Sequence, residues 1–219
     1  GTPKRAPTTG SRSTTARRWR SSPRHDRCSR PARNRYVYYP GLADVPESQA
    51  VNIRNRSYAI GALVDIPAPG ADGVLFAHGS RFGGHALYVK DGTLQYVYNF
   101  LGLEPEQHLE SDAIAPGKHV LGVEFAKERQ GDHGESLGTM TLHIDDEAVA
   151  SAQMRTQAGH FSLCGEGLCI GYDGGDTVTT RYPTRFPFTG GEITKVEVHV
   201  GDDAYVDLER HLQAALARD

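Results

Sequence analysis

"GGHALYVKDGTLQYVYNFLG", residues 83–102, decides the fold. Asp91-Gly92 reads as a two-residue hairpin turn, because both positions of that turn need φ > 0 and these residues tolerate it. Counting outward from the turn pairs Val89 with Leu94 and Leu87 with Tyr96. Side chains alternate across a strand, so one face carries Leu87, Val89, Leu94, Tyr96 and Tyr98. The other carries Tyr88, Lys90, Thr93 and Gln95. Only one face has to enter a core, so Tyr88 is expected near the surface, where it is a candidate interface residue, unless another element covers that side.

The same pattern recurs on both sides of the hairpin. "SYAIGALVDIP" (57–67) and "GVLFAHGS" (73–80) are strands separated by the turn formers "APGADG", and "KHVLGVEFA" (118–126) is another. "GTMTLHIDDEAVASAQM" (138–154) is a second hairpin around Asp145-Asp146, and "FSLCGEGLCIGYDGG" (161–175) offers two short strands. "GEITKVEVHV" (191–200) alternates through Ile193, Val196, Val198 and Val200. Turn signals at roughly ten-residue spacing indicate a sandwich of antiparallel sheets. Only the end is helical in pattern: Asp207 can cap a helix over 207–218 with Leu208, Leu212 and Leu216 on one stripe. That helix is the alternative cover for the Tyr88 face.

Charge divides the chain. Of its 24 basic and 27 acidic residues, residues 1–35 hold eleven Lys or Arg and a single acid, Asp26. Trp19 is the one large apolar side chain there. Such a segment buries too little surface to offset its ordering entropy and reads as a disordered basic arm, with residues 36–219 as the folded domain. An arm of this kind attracts nucleic acid non-specifically at most. No apolar run has the length of a membrane span and no signal peptide is evident, so a cytoplasmic location is expected.

"RNRYVYYPG", "VNIRNRSYAIGALVDIP", "GVLFAHGSRFGGHALYVKDGTLQYVYNFLG", "FSLCGEGLCIGYDGGDTVTTRYP" and "FPFTGGEITKVEV" together resemble the C-terminal domain of large bacterial arylsulfatases. The resemblance runs from about Arg35 almost to the end of the chain. It implies a concanavalin A-like, laminin G-like jelly roll, in agreement with the strand pattern. It also implies that calcium and the formylglycine of that family belong to a catalytic domain not present here, and that such a domain is a partner. "SRPAR" (29–33) matches the core of the formylglycine signature through Ser29, Pro31 and Arg33. The residues that should follow it do not, since Arg33 leads straight into "NRYVYYPG". A motif without its context carries no function.

No catalytic residue and no cofactor is expected in this chain. The paired strand carboxylates of jelly-roll glucanases have no counterpart, and Glu124, Glu192 and Glu197 read as exposed strand carboxylates. The histidines lack metal-ligand spacing. Cys164 and Cys169 flank a short hairpin and read as buried thiols, a disulfide being the alternative. Two glycine-rich loops are candidate ligand sites: "GSRFGG" with Arg81 and Phe82 beside His78, and "GYDGGD" with Asp173 and Asp176, where calcium or sugar hydroxyls fit. Two functions follow. One is an accessory domain, with no catalysis of its own, packed against a sulfatase catalytic domain; the alternative is a free-standing carbohydrate-binding module. An enzyme in its own right is a third reading with less behind it.

Overall fold

The computed structural model describes residues 34–158, 163 and 165–201. Strands β1 (Arg35–Tyr38), β2 (Tyr58–Ile66), β3 (Gly73–Ser80), β4 (Gly83–Lys90), β5 (Thr93–Asn99) and β6 (Gln107–Ala113) occupy the first half. Strands β7 (Gly117–Gln130), β8 (Ser136–Ile144), β9 (Glu147–Thr156), β10 (Glu166–Ile170) and β11 (Glu192–Val200) complete the fold. They form a six-stranded sheet in the order β1-β11-β2-β7-β8-β9 and a five-stranded sheet in the order β10-β3-β4-β5-β6. Every pairing is antiparallel, and the result is a jelly-roll sandwich. No helix among the described residues is long and apolar enough to cross a membrane.

The central hairpin has the register read from its turn. Val89 faces Leu94 and Leu87 faces Tyr96, while Asp91 and Gly92 take φ of 52° and 75°. Leu87, Val89, Leu94 and Tyr96 enter the core, where Ile60, Val123 and Phe125 meet them from the opposite sheet. The three-residue step from Ile193 to Val196 is a bulge in β11, which keeps both side chains inward. At the open edges, Gln107 and Arg155 exchange two hydrogen bonds of 2.8 and 2.7 Å, tying β6 to β9.

Tyr88 is not at the surface. The segment after β10 crosses the outer side of the five-stranded sheet and lays Val178, Tyr182 and Phe186 over Val74, Ala77, Ala86, Tyr88 and Val97. Tyr88 is fully buried, with its ring 4.9 Å from that of Tyr182 in an edge contact. The sequence gives this cover little signal, because it is irregular chain rather than a helix or strand. Its anchors are polar: Asn99 Nδ2 donates to the Val178 carbonyl and Lys90 Nζ to that of Arg181. Tyr88 therefore cannot serve as an interface residue.

The sequence pattern also passes over β1 and β6, whose burial alternates weakly. From 161–175 one strand forms among the described residues, β10, and its neighbours are β3 and an isolated bridge to Val45. Cys169 is buried; Cys164, and with it the pairing of the two, lies outside the described residues, as do the basic arm, Ser29 and the expected helix at 207–218.

Candidate functional site

"GSRFGG" is a tight hairpin between β3 and β4, with Arg81 and Phe82 at its tip. Its glycines answer to backbone crowding. A Cβ at Gly79, where φ is +88°, would lie 2.3 Å from the Gly83 carbonyl oxygen, and one at Gly84 2.6 Å from the Ser80 nitrogen. The tip itself projects into solvent, Phe82 being 56 % exposed, with the Arg81 guanidinium 5.2 Å from its ring centre. Arg81 Nε also lies 3.6 Å from Asp176 Oδ1, and its backbone N–H donates to the Thr177 carbonyl. The two loops singled out in the sequence thus meet, and Arg81, Phe82 and Asp176 come together.

His78 and Asp173 do not join them. His78 lies on the inner face of β3, buried, with Nε2 against the Glu47 carboxylate and its ring beside that of His85. It clamps the strap at 44–57 across one end of the sandwich. His85, opposite it on β4, has Nδ1 3.2 Å from the Tyr96 hydroxyl, which in turn lies 2.9 Å from that of Tyr58. Burial, and then the charge of His78, hold the His85 imidazole well below its ordinary pKa. Asp173 is buried under the cover segment. Its carboxylate accepts from the backbone N–H groups of Gly174 (2.7 Å) and Val178 (2.9 Å) and from the Tyr182 hydroxyl (2.6 Å). Those bonds use its lone pairs to fold the cover loop, so Asp173 and Asp176 do not form a shared cation site. No group of three or more metal-ligating side chains occurs among the described residues.

The strand carboxylates differ from one another. Glu192 is exposed, but Glu197 is buried on the outer face of the six-stranded sheet. It accepts from Arg35 Nε and Nη2 (2.9 and 2.6 Å), Lys195 Nζ (2.7 Å) and His199 Nε2 (3.2 Å). Burial alone would raise its pKa; the hydrogen bonds outweigh that and hold it at about 2. A carboxyl so fixed in its ionised form is a poor general acid.

A feature the sequence did not disclose is an open groove beside the "GYDGGD" loop. It has a volume of about 470 Å³ and is lined by Ala43, Asp44, Tyr172, Gly174 and Arg185. The Tyr172 hydroxyl donates to the Asp44 carboxylate, which, with partial burial, raises the phenol to about 12. Arg185 sits at φ +67°, in the left-handed region that a residue with a Cβ rarely adopts. Its carbonyl accepts from the Asp173 N–H, so the cover loop holds it there. Loop 171–177 therefore borders the groove at Tyr172 and Gly174 and the hairpin tip at Asp176. Asp44 and Arg185 are more than 140 residues apart, which is why no local pattern points to them.

A scan of protein-family models finds no match, and a search of curated proteins finds no relative. Among solved structures, the chain is similar to the mouse laminin α1 chain domains LG4–5, at 12 % identity and a TM-score of 0.44 over 78 % of this chain and 41 % of that one. It thus spans less than half of that laminin fragment. It is also similar to the CBM40 of the Ruminococcus gnavus IT-sialidase, solved bound to α2,3-sialyllactose, at 15 % identity and a TM-score of 0.42 over 70 % and 80 % of the two chains. The Caenorhabditis elegans galectin LEC-6 aligns at 12 % identity and a TM-score of 0.37 over 79 % and 99 %.

Proposed function

We infer that this chain is a carbohydrate-binding module without catalytic activity of its own. One observation carries the reading: the groove at Asp44, Tyr172 and Arg185 places an aromatic ring beside an acid and a guanidinium. Its volume, about 470 Å³, lies in the range of small-molecule sites. An aromatic face takes the apolar side of a sugar ring, while a carboxylate and a guanidinium accept from and donate to its hydroxyls. The nearby tip, with Phe82, Arg81 and Asp176, offers the same combination in exposed form. The test is a glycan array probed with labelled wild-type protein and with Tyr172→Ala. A set of glycans retained by wild type and lost by the variant supports the reading; no retention, or equal retention, defeats it.

A role beside a sulfatase catalytic domain is the second reading, favoured by a different observation. Tyr39 and Leu42, both more than half exposed, follow directly on β1, where the resemblance places the entry into the tail domain. A preceding domain docked there would cover both. Tyr39→Asp with Leu42→Asp should then weaken association with a supplied sulfatase domain, and unchanged association would remove this support.

A further inference from the structure

We propose that Arg185 makes the Tyr172 groove selective for an acidic sugar, one carrying a carboxylate or a sulfate ester. The proposal rests on the carbohydrate reading of that groove and adds the class of its ligand. The backbone supplies the first observation. Residues 183–186 form a turn closed by the Phe186 N–H donating to the Pro183 carbonyl (3.2 Å), with Arg185 third at φ +67°. A turn with positive φ at its third position alone favours glycine there. Twelve of the positive-φ positions among the described residues are glycine, and Asn55, Asp91 and Asp145 belong to the other types that tolerate it. Arg185, like Leu101, belongs to neither group. The turn is pinned on both sides, since the Val74 N–H on β3 donates to the Phe186 carbonyl (3.0 Å) and the Asp173 N–H to that of Arg185 (3.2 Å). A long side chain kept in this region costs free energy, and such outliers gather at ligand clamps.

The guanidinium is the second observation. It lines the groove and has no hydrogen bond or ion pair among the described residues, whereas Arg35, Arg81 and Arg181 each face a carboxylate. The acid in the groove, Asp44, does not pair with it, because its carboxylate takes the Tyr172 hydroxyl instead. The Asp44 hydrogen bond raises the Tyr172 phenol, and the Arg185 charge is close enough to pull against it, so the three side chains share one space. The remaining lining residues, Ala43 and Gly174, carry no charge.

Chemistry then selects the ligand. A planar guanidinium presents paired N–H donors that match two oxygens of a carboxylate or sulfate, and such charge-assisted bonds are stronger than those to a hydroxyl. Asp44 repels the same group, so an acidic sugar lies one way round: its oxyanion on Arg185, its hydroxyls toward Asp44 and its ring against Tyr172. A neutral sugar fills the same volume but leaves the guanidinium without a counter-charge.

The experiment is a glycan array of matched backbones in neutral, uronate-bearing and sulfate-ester-bearing forms. It is probed with the whole chain as wild type, Tyr172→Ala, Arg185→Gly and Arg185→Lys. Wild type should retain acidic members about tenfold above their neutral counterparts, and the uronate and sulfate arms show which oxyanion is preferred. Arg185→Gly should abolish that preference while leaving the melting temperature unchanged or higher, since glycine takes φ +67° without strain. Arg185→Lys, with the charge but not the fork, should keep part of it. Retention of neutral glycans alone, lost in Tyr172→Ala, would uphold the groove and overturn the proposal. An acidic preference that survives Arg185→Gly would overturn it too, as would a melting temperature lowered by that variant, which would give the arginine a role in the fold. No retention of any glycan would overturn both readings.

Discussion

At the scale of single residues, the buried charge of Glu197 makes a testable difference to acid stability. Its native pKa, about 2, lies below the ordinary glutamate value of 4.5, so the unfolded chain binds the proton more readily. The stabilisation is therefore complete above pH 4.5 and is lost as pH falls toward 2. Glu197→Gln should cost about 1–2 kcal/mol at pH 7, since its partners are partly exposed and keep water. In urea unfolding the gap between wild type and variant should close on acidification; a gap of constant size would show that the ion cluster does not contribute. His85 shifts in the same direction. Buried neutral, it resists a proton that the unfolded chain accepts below about 6.5, so stability should fall as pH drops below that value. Replacing His85 with Gln should flatten that limb, and an unchanged slope would assign it to another group.

At the scale of elements, one substitution separates two pictures of the central hairpin. If its outer face were free, Tyr88→Asp would leave stability unchanged. With Tyr182 and Val178 packed over it, the variant should lose upward of about 3 kcal/mol, because a carboxylate is placed in a closed apolar layer. A melting temperature within a degree or two of wild type would mean that the cover is loose in solution. The hairpin was legible because Asp91-Gly92 sets the register locally and alternation then assigns every side chain. The cover over it was not, because "YDGGDTVTTRYPTRFPF" has no period, and its hold on the sheet lies in long-range bonds such as Asn99 to Val178. Asp173 shows the same limit. An acid among glycines looks like a ligand site until the N–H of Val178 and the hydroxyl of Tyr182 are seen to occupy it.

At the scale of the whole molecule, the sandwich brings together what the sequence keeps apart. Arg81, Phe82 and Asp176 could be named in advance, since glycine-rich loops between strands gather at the ends of a jelly roll. Asp44, Tyr172 and Arg185 could not, because their meeting depends on how the strap and the cover segment cross the same end. The most direct measurement of the central claim is isothermal titration of wild type and Arg185→Ala with the glycan that wild type retains best on the array. Wild type should bind with one site per chain, and Arg185→Ala at least tenfold more weakly, a loss of about 1.4 kcal/mol, at an unchanged melting temperature. Equal affinities, with both proteins folded, would contradict binding in the groove.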